Sequence, residues 1–179
     1  MGIAKSIIAG LVFLAATVGI GCGGYAQIGA GFTDNLTKFA GRASGQAQYQ
    51  MGGGTNPNLM PDGMLRLRVG GDVQELGVGA GICVRGTGPG VSPFARAGIT
   101  ALQIGATDGR FSIGLFGPFL EAGVAFDIGK LPDAIRRVTS YFIALHGGIG
   151  YDVRFTSQPN EGYWLVALAF GWRFGIRAR

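Results

Sequence analysis

Cysteine and histidine are almost absent from this chain: Cys22, Cys83 and His146 are all it has in 179 residues. Without C-x-x-C, H-x-x-x-H or a spaced even set of cysteines, neither a disulfide framework nor a structural zinc motif can be written, and no other metal or cofactor motif is present. Charge is scarce too, 14% of residues against about 25% in an average soluble chain. The net charge of +5 is spread thinly. Its densest basic pairs are Arg66/Arg68 and Arg136/Arg137, so there is no phosphate-tracking stripe and no case for a nucleic-acid partner. A collagen-like G-X-Y period is missing, and 47% hydrophobic with 11% aromatic residues is too apolar for a disordered coil.

A long apolar run is missing as well. The only extended one, Ile7 to Ile20, has 14 residues, short of the roughly 20 that a helix needs to cross a bilayer core. It follows Lys5 and precedes the small residues Gly21 to Gly24 and Ala26, the tripartite form of a secretory signal. Gly19, Gly21 and Gly24 also spell G-x-G-x-x-G. A dinucleotide fingerprint needs those glycines between a strand and a helix, with an acidic residue about 20 positions on, and Y-A-Q-I-G-A-G-F-T-D-N offers neither. Two export readings with cleavage stay open, beside an uncleaved anchor stretched to Ile28. Gly24-Tyr25-Ala26 suits signal-peptidase cleavage after Ala26, giving a signal at 1–26 and a single domain at 27–179. Gly21-Cys22 matches the last two places of a lipoprotein box, giving a signal at 1–21 and a lipidated Cys22.

What the chain has in excess is glycine, 35 residues, set in a period-two pattern. Trp164, Val166, Leu168, Phe170, Trp172 and Phe174 alternate with Leu165, Ala167, Ala169, Gly171 and Arg173. Tyr141, Ile143, Leu145, Ile149, Tyr151, Val153 and Phe155 alternate with Ala144, His146, Gly148, Gly150, Asp152 and Arg154. Leu76, Val78, Ala80, Ile82 and Val84 alternate with Glu75, Gly77, Gly79, Gly81, Cys83 and Arg85, and Leu65, Leu67 and Val69 with Arg66 and Arg68. Such alternation reads as β-strand. One face is bulky and apolar; the other is small, with a few charges.

Glycine weakens a strand, and a soluble sandwich would put Lys, Glu or Thr on its wet face. A narrow barrel explains the choice: small residues and paired charges fill its interior, while large apolar residues face lipid. The pattern predicts an all-β, antiparallel up-and-down transmembrane barrel of about eight strands: Ile28 to Thr33, Ser44 to Met51, Met64 to Gly70, Gln74 to Arg85, Phe94 to Ile104, Phe111 to Ile128, Thr139 to Phe155 and Tyr163 to Phe174. In the sixth the apolar phase is odd at Phe111, Ile113 and Leu115 and even from Leu120 to Ile128. A bulge at Gly117-Pro118 or a hairpin there would account for this, and a hairpin would raise the count towards ten. Leu131 to Arg137 reads as a short helix.

The run A-L-H-G-G-I-G-Y-D-V-R-F followed by G-Y-W-L-V-A-L-A-F-G-W-R-F resembles the last hairpin of small bacterial outer-membrane β-barrel proteins, which commonly close on an aromatic, here Phe174. The resemblance covers about Ile28 to Phe174 and is architectural. It implies residence in the outer membrane of the bacterial envelope and membrane lipid as a partner, with Tyr141, Tyr151, Phe155, Trp164, Trp172 and Phe174 as interfacial aromatics. Protein partners would be met through loops such as Gly52 to Asp62.

Arg66, Arg68, Glu75, Arg85, Glu121, Asp127, Asp152, Arg154 and Arg173 are expected inside as a salt-bridged plug, with His146 as a packed interior histidine. Some barrels of this class act on lipid A with His and Ser or carboxylates, and His146, Asp152, Glu121 or Ser140 could be cast in that role. His146 and Asp152, however, stand about 20 Å apart along one strand, and Gly147-Gly148 replaces the serine motif. Cys83 reads as an inert interior thiol. The expected role is therefore non-enzymatic, structural or loop-mediated. A narrow channel or lipid-ligand barrel is the alternative, and a lipid-tethered sandwich or lipocalin-like binding protein a further one.

Overall fold

A computed structural model describes residues 23–36, 44–56, 58–70, 73–86, 90–107, 109–130, 138–156 and 159–175. They form eight strands: β1 (Gly23–Asn35), β2 (Ser44–Gly54), β3 (Leu59–Gly70), β4 (Val73–Arg85), β5 (Val91–Thr107), β6 (Arg110–Lys130), β7 (Val138–Asp152) and β8 (Glu161–Gly175). Successive strands pair antiparallel, and β1 also pairs with β8, from Gly23↔Gly175 to Asn35↔Tyr163, which closes the sheet into one barrel. A single closed sheet replaces the sandwich alternative. The helix expected at Leu131 to Arg137 lies outside the described residues, as does Cys22.

The start of β1 and the end of β8 share one end of the barrel, the terminal end, with the β2–β3, β4–β5 and β6–β7 connections. The opposite, distal end carries the other four connections. Two of these, β3–β4 and β5–β6, span only two residues, and in the second Gly109 has φ +68°, the left-handed conformation that a two-residue hairpin demands.

Two segments extend further than their composition suggests. β1 begins at Gly23, so Gly23–Ala26 pair on both sides, with β2 and with β8. β3 begins at Leu59, and Gly52–Gly54 belong to β2, so most of the segment taken for a partner-binding loop, Gly52 to Asp62, is sheet. Its Gly, Pro and Asn content mimics a loop. Pro61 falls just past the last β2–β3 pair, Gly52↔Asp62, the edge-like position where a strand tolerates proline.

The phase switch in the sixth strand is a bulge, and β6 is one strand. Leu115 and Phe116 lie between the inward Gly114 and Gly117, and Phe116 has φ +56°. β5 makes the same change opposite, with Ala101 and Leu102 between the inward Thr100 and Gln103. The two strands therefore keep one register, Thr100↔Gly117 and Leu102↔Leu115. The offset appears instead against β4, between Val78 and Gly79. One extra residue in each strand reverses inner and outer faces together, and the strand count stays at eight.

Large apolar side chains cover the outside all round, among them Ile28, Leu67, Ile82, Leu120, Leu145 and Leu168. On the inside, glycines admit the bulkiest rings. A Cβ on Gly150 would stand 2.3 Å from the Tyr163 ring, and one on Gly171 2.4 Å from the Phe142 ring. Gly150→Val and Gly171→Val should each destabilise the barrel by about 1–3 kcal/mol through overpacking. Gly63→Ala, whose added methyl meets its nearest atom at 4.0 Å, should change little. Urea unfolding midpoints of the refolded protein in micelles would measure all three.

Candidate functional site: the ion-paired lumen

Alternation turns every second side chain inward, and an eight-strand barrel leaves room there for side chains only. Charge placed in such a space must be paired. The distal part of the lumen is a cluster of arginines and carboxylates. Arg68 meets Asp152 at 2.7 Å and Glu75 at 3.1 Å, and Arg154 meets Glu75 at 3.1 Å and Glu161 at 3.3 Å. Gln103 donates to Glu75 at 2.6 Å. Arg66 donates to the Tyr163 hydroxyl and lies 3.6 Å from Asp152. The Tyr163 ring is flanked by both guanidinium groups, 4.5 Å from Arg66 and 4.8 Å from Arg68.

Mid-barrel, Arg96 is the hub. Its Nε and Nη2 grip both oxygens of Asp62, at 2.5 and 3.0 Å, while Nη1 donates to Glu121 at 3.0 Å. A fork of this kind is among the stronger protein hydrogen-bond arrangements. Gln48 and Gln50 donate to Glu121 at 3.2 and 3.1 Å, and Tyr25 donates to Asp62 at 2.8 Å. Gln27, Gln46, Gln48 and Gln50 form a buried amide group, with Gln27 donating to Gln50 and Gln46 to Gln48. Amides supply donors and acceptors without adding charge.

At the terminal end Arg173 donates to Asp127 at 3.1 Å and to Ser92 at 2.9 Å. Arg85 sits among the rings of Tyr25, Phe142 and Phe94, 4.6, 4.7 and 5.3 Å from their centroids. It is the member of the expected plug that forms no ion pair with a described residue.

His146 is buried with Nδ1 3.5 Å from Glu121 and its ring against Phe94. Ser140, six residues back on the same strand, is about 20 Å distant along it. Cys83 is fully buried in the cluster containing Tyr25, Met60, Phe94 and Phe142. Among the described residues no group of three His, Cys, Asp or Glu is placed to hold a metal ion. Of the six aromatics singled out, Tyr151, Phe155 and Trp164 lie towards the distal end, and Tyr141, Trp172 and Phe174 towards the terminal end.

The two acidic partners of Arg96 were unequally legible. Glu121 stands on an alternating face, whereas Asp62 hides in a turn-like sequence. Arg96 itself alternates with outward Ala95 and Ala97, and Gln46, Gln48 and Gln50 with Ala47, Tyr49 and Met51. Those small outward alanines mute the contrast between faces.

Fold and site together define a closed eight-strand antiparallel barrel, apolar outside and ion-paired within. No protein-family model matches the chain, and no curated protein sequence is detectably similar. Among solved structures it is similar to Neisserial surface protein A, with TM-score 0.54 and 11% identity over 86% of this chain and 96% of that one. It is also similar to the N-terminal β-barrel domain of Pseudomonas aeruginosa OprF, with TM-score 0.52 and 12% identity over 84% and 99%. Both are outer-membrane eight-strand barrels, and at these identities the likeness is one of fold.

Removing one member of the central group leaves a buried charge uncompensated. Arg96→Leu would leave both Asp62 and Glu121 without their cation and should therefore destabilise the barrel by about 3–5 kcal/mol, and adding Glu121→Leu should recover part of that loss. A double-mutant cycle on urea midpoints checks the coupling; additive losses would show that the two side chains do not act as a pair.

Proposed function

We propose that this protein is an integral outer-membrane barrel with a structural or interaction role, neither an enzyme nor an open pore. The apolar outer surface carries the reading. In water it would be an exposed patch far larger than the few hundred Å² that soluble monomers tolerate, whereas in lipid it is the expected exterior. Every strand has at least 11 residues, enough for a tilted crossing. The two sets of aromatics at opposite ends suit the two membrane interfaces.

A lipocalin-like role would need an apolar interior and a polar outside, the reverse of this arrangement. A channel would need a gap through the ion pairs of Arg68, Arg96 and Arg154. An enzyme acting on lipid would need its nucleophile or base at the rim, while His146 and Cys83 are buried. Contacts with other proteins would then fall to the connections, of which 36–43 and 153–160 are the longer ones at the distal end.

The mature chain, on this reading, keeps Gly23–Ala26. Cleavage after Ala26 would remove four paired residues of β1, along with the Tyr25 hydroxyl that bonds Asp62. A cut before Gly23, with or without a lipidated Cys22, leaves the strand whole.

Expressed in a Gram-negative host, the protein should sediment with outer membranes and migrate differently with and without boiling; a soluble periplasmic product would end the proposal. Intact mass of the same sample should place the first residue at or before Gly23. A chain beginning at Gln27 would overturn the processing assignment while leaving the location untouched.

A further inference from the structure

The terminal part of the lumen holds a cation that the ion network leaves out. Arg85, the last residue of β4, retains only 5% exposure, yet its Nε, Nη1 and Nη2 find no hydrogen-bond partner among the described residues. The inward arginines Arg66, Arg68, Arg96, Arg154 and Arg173 each lie within 4 Å of a carboxylate. Around Arg85 there are instead three rings, Tyr25, Phe94 and Phe142. Rings attract a cation electrostatically but offer no lone pair in the plane of its N–H donors. The nearby carboxylate, Asp127, is held by Arg173, whose guanidinium lies over the far-reaching Phe142 ring at 5.5 Å. Among the described residues the local charge is therefore positive, and a planar donor fork is buried with nothing to donate to.

We propose that Arg85 is an oxyanion-binding residue at the terminal mouth of the barrel, taking one phosphate-type group in the plane of its guanidinium, with the Tyr25, Phe94 and Phe142 rings holding that plane in place. Bidentate donation to tetrahedral or carboxylate oxygens is the chemistry for which the guanidinium fork is suited. The group is either free phosphate or the phosphate of a lipid headgroup at the barrel rim. The proposal rests on the geometry inside the barrel and does not depend on the location proposed above.

The test is arginine side-chain ¹⁵N NMR on the refolded mature protein in octyl glucoside micelles, with the Arg85 Nε–H resonance assigned from Arg85→Lys. Inorganic phosphate added at constant ionic strength, and separately a short-chain phosphatidylglycerol, should move that resonance saturably, and leave Arg66 and Arg96 in place. A response to inorganic phosphate identifies the free ion as sufficient; a response to phosphatidylglycerol alone identifies the headgroup. Either supports the site. No saturable shift in either titration overturns it, and so does a shift shared equally by Arg66 and Arg96, which would mark an adventitious ion only. Arg85→Met should abolish phosphate protection against urea unfolding. If that variant fails to fold, the resonance of the unmodified protein still decides.

Discussion

The width of a closed eight-strand sheet governs this molecule. Once β1 pairs with β8 there is no free edge, and the space enclosed admits side chains and little else. Inner positions then hold small residues that make room for large rings, neutral amides, or charges that, Arg85 apart, find their opposites among the described residues. Arg96 illustrates the last condition, with Asp62 and Glu121 arriving from strands on either side of it. The glycines answer the first, since Tyr163 and Phe142 lie where Gly150 and Gly171 make room. Closure also frees the outer face from polar duty, because the backbone bonds are satisfied within the ladder.

Much of this was legible in the order of residues, and unevenly so. β4, β7 and β8 alternate large apolar with small or charged residues with few exceptions, such as Gly147 on the outer face and Phe142 and Leu165 on the inner, and both the strands and their faces follow from that contrast. The inward placement of Arg68, Glu75, Asp152 and Arg154 was readable for the same reason. Pairing partners were not. Arg68 with Asp152, or Arg96 with Asp62, are contacts across the barrel, set by closure and stagger that no local pattern records.

Local chemistry admits two readings in two places. Gly23–Ala26 look like the small residues of a cleavage site, and they are also what a crowded strand beside β8 requires: a Cβ on Gly24 would meet the Gly52 carbonyl at 2.5 Å. Gly52 to Asp62 carries turn residues yet contributes to two strands. The phase reversal in β6 is a third case of a different kind. A single strand reveals that something changes near Leu115, while only the partner strand, with Ala101 extra at the facing position, reveals that the change is a matched bulge.

The seam between β1 and β8 joins the first described strand to the last. Every other ladder links neighbours in the chain, and can form as a hairpin while the remainder is still open. The seam cannot form until all eight strands exist, so cooperativity is imposed by connectivity: a chain lacking either terminal strand has two unsatisfied edges and no sealed interior, whatever its other hairpins achieve. Sealing therefore waits on the last strand, and a contact that spans the lumen, such as Arg68 of β3 with Asp152 of β7, depends on the sheet having curled round to meet itself.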